Sequence, residues 1–246
     1  MLHISQLSVA VQDHVVIHDC SVTFQSGLVH IVMGPNGSGK SSLAHTIMGH
    51  PSYEVRHGSI MWHDQDITHM SVFKRATQGI FLALQHPVEI QGLQVLHFIK
   101  ELYGLREGKT VSLEFVMQQV QPLLQIVGFS DQILNRYVNV GFSGGEKKRF
   151  ELLQMFILQP KLVILDELDS GVDIDGLKQL AQGLLWYRQQ HPDSTLICIT
   201  HYRHIVQYLN PDHVHVMMQG SIVASGNREM FDAIDQSGYG QYAKRS

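Results

Sequence analysis

The chain is poor in cysteine, in charge and in long apolar runs. Cys20 and Cys198 are its only cysteines. No CxxC pair accompanies either, so neither a disulfide framework nor a sulfur-ligated metal is expected, and a reducing compartment suits both thiols. Charged residues make up 16% of the chain and the net charge is −4. With no block of five or more basic residues, nothing marks a nucleic-acid partner. No stretch approaches the ~20 apolar residues needed to cross a bilayer. The longest apolar runs, such as Leu162–Leu165, are strand-sized. Met1–Ser5 shows no basic segment followed by an apolar one, so a secretory leader is not expected there. These absences predict a cytoplasmic chain with no direct membrane insertion, which serves any membrane process through another protein.

What is present is a large apolar fraction, 44% of 246 residues, enough for one sizeable core or a core with an inserted subdomain. The sixteen histidines are scattered without an HExxH or Cys/His cluster, and His213 and His215 alternate in a strand-like run, so metal binding by such a cluster is not expected. Residues 2–33 alternate in the manner of strands, ending in the apolar run Leu28–Met33. A helix is predicted from near Lys40, with Leu43, Ile47 and Met48 on one face, stopped by Gly49-His50-Pro51. Helical patterns then cover Val95–Leu105, Leu113–Val127 and Gly145–Leu158, before strands and helices alternate again: Leu162–Leu165, Leu177–Gln190, Thr195–Thr200, Tyr202–Leu209, Val214–Met218 and Ser221–Ala224. The reading is an α/β chain with a mainly parallel sheet core, an antiparallel β N-terminal part and an inserted helical subdomain. Residues 1–92 and 159–246 would form the core and 93–158 the insert.

Gly34-Pro35-Asn36-Gly37-Ser38-Gly39-Lys40-Ser41 matches GxxxxGK[ST] between a predicted strand and helix. Glycines let backbone N–H groups turn around an anion, and the helix start adds partial positive charge. Lys40 would meet the β/γ-phosphates, Ser41 would be a Mg²⁺ ligand, and Ser42 continues the loop into the helix. Far downstream, Asp166-Glu167 ends an apolar strand. Adjacent carboxylates there are costly to desolvate unless a cation is near. Asp166 is expected on Mg²⁺ beside Ser41, and Glu167 on the attacking water.

Between these motifs runs Gly141-Phe142-Ser143-Gly144-Gly145-Glu146-Lys147-Lys148-Arg149. It resembles the LSGGQ signature of the ABC ATPases, with Phe142 for leucine and Glu146 for glutamine. A serine and two small residues at a helix start make a second anion site. The resemblance implies ATP and Mg²⁺ as ligands and a head-to-tail homodimer formed on ATP binding. In it Ser143, Gly144, Gly145 and Glu146 of one subunit close over the nucleotide held by the other. It further implies Gln85 as the Q-loop glutamine near Mg²⁺ and water, Asp173 as the D-loop acid, and His201 as the switch histidine on the γ-phosphate. The aromatic that usually stacks on adenine is missing: Val11–Val15 offers only the ring of His14.

The stretches Leu84–Ile90, Asn139–Arg149, Asp169–Asp175 and Pro211–Val216 narrow the resemblance to the SufC branch. These are the ATPase subunits of SUF iron–sulfur cluster assembly, which work with SufB and SufD scaffold proteins. His86, Leu168 and Val172 depart from that branch's usual residues. Phe98, Leu102 and Tyr103 are candidate apolar contacts for a partner, since elements next to Gln85 would move when the γ-phosphate is lost.

Overall fold

Burial that alternates residue by residue builds the first strands, and burial on every residue builds the central ones. The structure, a computed structural model, describes residues 1–85, 87–168, 170–200 and 203–242. In chain order its elements begin with β1 (Leu2–Val11), β2 (His14–Phe24), β3 (Val29–Met33), α1 (Lys40–Met48), β4 (Tyr53–Trp62), β5 (Gln65–Asp66), α2 (Val72–Thr77) and β6 (Ile80–Ala83). Then come β7 (Ile90–Gln94), α3 (Val95–Glu107), α4 (Leu113–Ile126), a 3₁₀ turn, β8 (Tyr137–Val138), α5 (Gly144–Leu158), β9 (Leu162–Asp166) and α6 (Ile174–Gln190). The chain continues with β10 (Thr195–Ile199), α7 (Arg203–Leu209), β11 (His213–Met218), β12 (Ser221–Gly226) and α8 (Arg228–Ser237).

Contacts divide the chain into two compact units. The first comprises residues 1–82, 161–167 and 192–246. Its antiparallel sheet runs β2-β1-β4-β5, and its mixed sheet runs β12-β11-β3-β10-β9-β6. Strands β3, β9 and β10 are buried on every residue, as expected of a sheet covered on both faces. Leu7, Ile17, Phe24, Val32, Leu43, Ile47, Ile60 and Ile164 belong to one core. β4 was not expected, because most of its residues are polar or exposed and Gly58 interrupts it. Gly58 has φ +86°, and a Cβ there would lie 2.4 Å from the Ser5 and Gln6 carbonyl oxygens. It sits where the β1–β4 register shifts between Ser5 and Ser8, a bulge that only glycine fits.

The second unit comprises residues 83–160 and 168–191. It contains the expected 93–158 insert and takes in α6 as well. The reason is close packing: a Cβ on Gly183 would stand 3.3 Å from both Leu152 and Phe156 of α5. The helices follow their sequence periodicity. α3 buries Val95, Ile99, Leu102 and Tyr103, and α4 buries Val116, Val120 and Leu124. Ser112 caps α4 by accepting the Phe115 N–H at 3.1 Å. Partner contact by Leu102 and Tyr103 is corrected here. Both are buried in this unit, and Phe98 packs its ring 6.0 Å from that of Phe150.

Candidate active site

Parallel pairing sets the first half of the site. β10 lies between β3 and β9, with Ile199 level with Val32 on one side and Asp166 on the other. The carboxyl ends of three parallel strands therefore meet at one sheet edge, where α/β sheets place their ligands. The glycine-rich loop leaves β3 there and enters α1. Gly34, Gly37 and Gly39 all have φ in the left-handed half, at +155°, +76° and +102°. At Gly34 a Cβ would be 2.0 Å from the Met217 carbonyl oxygen, so no side chain fits.

Within this cradle the Lys40 ammonium donates to the carbonyl oxygens of Gly34 and Pro35, both at 3.0 Å. Burial lowers the Lys40 pKa, while Glu167 and Asp166 act in the opposite sense. The Ser38 hydroxyl is buried with no hydrogen-bond partner among the described residues, which marks a polar group aimed at a ligand. Ser41 Oγ donates to Asp166 Oδ1 at 3.1 Å. Neighbouring ligands of an octahedral Mg²⁺ at about 2.1 Å stand about 3 Å apart, so this hydroxyl and carboxylate suit that ion. Glu167 begins the segment after β9 with φ 49°, a conformation uncommon in non-glycine residues, and donates its N–H to the Ile199 carbonyl at 3.0 Å. Left-handed backbone at an expected catalytic acid fits the tendency of strain to collect at functional positions.

The signature and D-loop residues lie in the other unit. Ser143 is the N-cap of α5: its Oγ accepts the Glu146 N–H at 3.2 Å, and its own N–H donates to Glu146 Oε2 at 2.8 Å. Asp173 caps α6 in the same way, accepting the Gly176 N–H at 2.7 Å. Ser143, Gly144, Gly145, Gly171 and Asp173 line one cavity of about 600 Å³. Ser143, Gly144 and Gly145 of the expected signature thus share a concave surface with the D-loop acid Asp173, while Glu146 does not line it. Gln85 belongs to this unit too. Its carbonyl and that of Leu84 each accept from the Lys148 ammonium at 3.1 Å, and the Leu84 N–H donates to Glu151 Oε1 at 2.9 Å. Burial raises the Glu151 pKa to about 7, against the pull of the Leu84 N–H and Lys148.

The residues 17–170 match the model of the ABC transporter family. The chain belongs to that family. As an ABC-type cassette it is an ATPase that takes ATP with Mg²⁺. It is 41% identical to Probable ATP-dependent transporter SufC of Escherichia coli, covering 98% of each chain. A probable ATP-dependent transporter of Synechocystis is 42% identical over 97% of this chain and 94% of its own. The fold of a dimeric bacterial ABC transporter cassette superposes with a TM-score of 0.80 at 16% identity, covering 92% of this chain and 98% of that one.

His201 and His86 lie outside the described residues. His14, the only ring expected near adenine, is exposed on β2. Sequence reasoning missed three residues of the cassette. Arg136 pairs with Glu146 from outside any motif. Glu151 is buried among Phe150, Leu152 and Leu153 of α5. Tyr239 is hydrogen-bonded to the Gly34 backbone, with its phenol pKa raised by burial. Only the last-but-one had a signal, an acid among Phe150, Leu152 and Leu153 on α5.

Proposed function

We propose that this ATPase works as the motor subunit of an iron–sulfur assembly complex, driving conformational change in SufB/SufD-type scaffold partners in the cytoplasm. The observation that carries this reading is the 41% identity to SufC over 98% of both chains. No helix among the described residues is long and apolar enough to cross a membrane, which accords with soluble partners. The second reading, a nucleotide-binding subunit of a membrane transporter, draws on the same relatives, whose names call them probable transporters.

In the proposed cycle, Gly34–Ser42 bind the triphosphate, with Lys40 turning from its two loop carbonyls toward the β/γ-phosphates. Ser41, Asp166 and Gln85 would hold Mg²⁺, which supplies charge neutralisation on the phosphates. Ser143–Glu146 and Asp173 of the facing subunit close the site in a transient head-to-tail homodimer. Glu167 orients and deprotonates the attacking water, and His201 steadies the γ-phosphate. The nucleotide-binding core is assigned to residues 1–92 and 159–246, and the signature-bearing insert to 93–158. An affinity pulldown with Mg·ATP, using the Glu167→Gln variant to hold the closed state, separates the two readings. Recovery of soluble scaffold chains supports the assembly role. Recovery of a polytopic membrane chain in their place transfers the protein to the transporter reading.

A further inference from the structure

Glu146 poses an electrostatic problem that its neighbours solve. It occupies the third position of α5, where a carboxylate satisfies the N-cap backbone and offsets the positive helix end. If that helix end is to meet a γ-phosphate, a bare carboxylate beside it repels the ligand. The family signature carries a neutral glutamine at this position. Here the second carboxylate oxygen, Glu146 Oε1, accepts from Arg136 at 2.6 Å. The same guanidinium donates to the Gly141 carbonyl at 2.8 Å and lies 4.3 Å from the centre of the Phe142 ring. One side chain thus grips the residues on both sides of Ser143. Burial would raise the Glu146 pKa, but the Ser143 N–H and Arg136 outweigh it and hold the acid below its ordinary value.

We propose that Arg136 is a positioning residue for ATP hydrolysis, which cancels the Glu146 charge and fixes the Gly141–Ser143 turn so that the start of α5 can receive a phosphate. This rests on the reading that Ser143–Glu146 meet the nucleotide of the facing subunit. The pair is about one-third exposed, so as a mere surface ion pair it would add little to stability. Its effect belongs instead to the charge seen by the ligand, where a like charge nearby acts strongly.

The test is a double-mutant cycle on steady-state ATPase, with unfolding midpoints recorded for every variant. Arg136→Gln removes the charge while keeping a donor for the Gly141 carbonyl. Arg136→Ala removes both. In the parental background either change is expected to lower kcat/KM by roughly tenfold or more. In a Glu146→Gln background, where no charge needs cancelling, the same change is expected to cost less than about threefold. An equal loss in both backgrounds overturns charge cancellation, and so does no loss in either. Ser143→Arg is run beside them to keep the failures apart. If it leaves turnover at the parental level, the signature reading itself has failed. If it abolishes turnover while the cycle shows no coupling, only the role of Arg136 has failed. Should Arg136→Ala not fold, the Arg136→Gln arm decides alone.

Discussion

Lys40 and Ser41 are sequence neighbours that face different demands. The lysine is held by carbonyl oxygens of its own loop, an arrangement that keeps a buried ammonium solvated until a stronger anion arrives. The serine already touches the carboxylate expected to share its cation. Glu167 is the residue whose chemistry is most exposed to test. Replacing its carboxylate by an amide removes the proton acceptor and leaves the loop, Ser41 and Asp166 intact. Glu167→Gln is therefore expected to lower turnover by about a hundredfold or more while nucleotide binding persists. Single-turnover hydrolysis together with a nucleotide-binding titration measures both. Parental turnover would remove Glu167 from the role of base.

At the scale of elements, α5 does more than present the signature. Lys148 and Glu151 lie on it and clasp both ends of the Leu84 peptide unit and the Gln85 carbonyl. A movement of α5 would thus be felt directly at the glutamine. The arrangement has a pH signature. Glu151 titrates near 7 when folded against an ordinary 4.5, so its contribution is fully present below 4.5 and is lost as pH rises through 7. Glu151→Gln keeps an acceptor for the Leu84 N–H but cannot ionise. The variant is expected to gain on the parent between about pH 5 and about pH 8, by no more than about 3 kcal/mol. Thermal unfolding at the two pH values reads this. A gap that does not change with pH would show Glu151 to be ionised throughout.

For the whole molecule, the buried histidines His30 and His215 shape the acid limit of stability. The Gln25 carbonyl accepts from His30 Nε2–H at 3.3 Å, which leaves His30 Nδ1 to accept from His215 Nε2–H at 3.0 Å. His215 Nδ1 in turn accepts the Ser225 hydroxyl at 2.8 Å. The chain of bonds fixes both tautomers and requires both rings neutral. Burial lowers the His30 pKa to about 4 and that of His215 to about 3, with His213 lowering both further and Asp212 raising that of His30. Unfolded, both rings titrate near 6.5. The unfolded chain binds more protons below that value, so stability is expected to be full above 6.5 and to fall steadily toward pH 4. His215→Gln or His30→Gln should flatten that slope in a denaturation series. An unchanged slope would place the acid sensitivity elsewhere.

The amino-acid order alone determined the local motifs from which the candidate site is built. A glycine-rich loop, a strand-end acid pair and a serine-capped helix work through local backbone geometry, and local geometry is written in neighbouring residues. The apolar periods of α3 and α4 were legible for the same reason, since 3.6-residue spacing needs no distant partner. The tertiary structure alone decided which residues support those motifs. Arg136 reaches Glu146, Tyr239 reaches Gly34 and Glu151 reaches Leu84 across gaps in sequence that no pattern spans. β4 was invisible because its place in the sheet comes from pairing with β1, not from its own mostly polar residues. Short-range signals reside in the sequence, whereas buried charge compensation exists only once distant side chains are brought together and shielded from water.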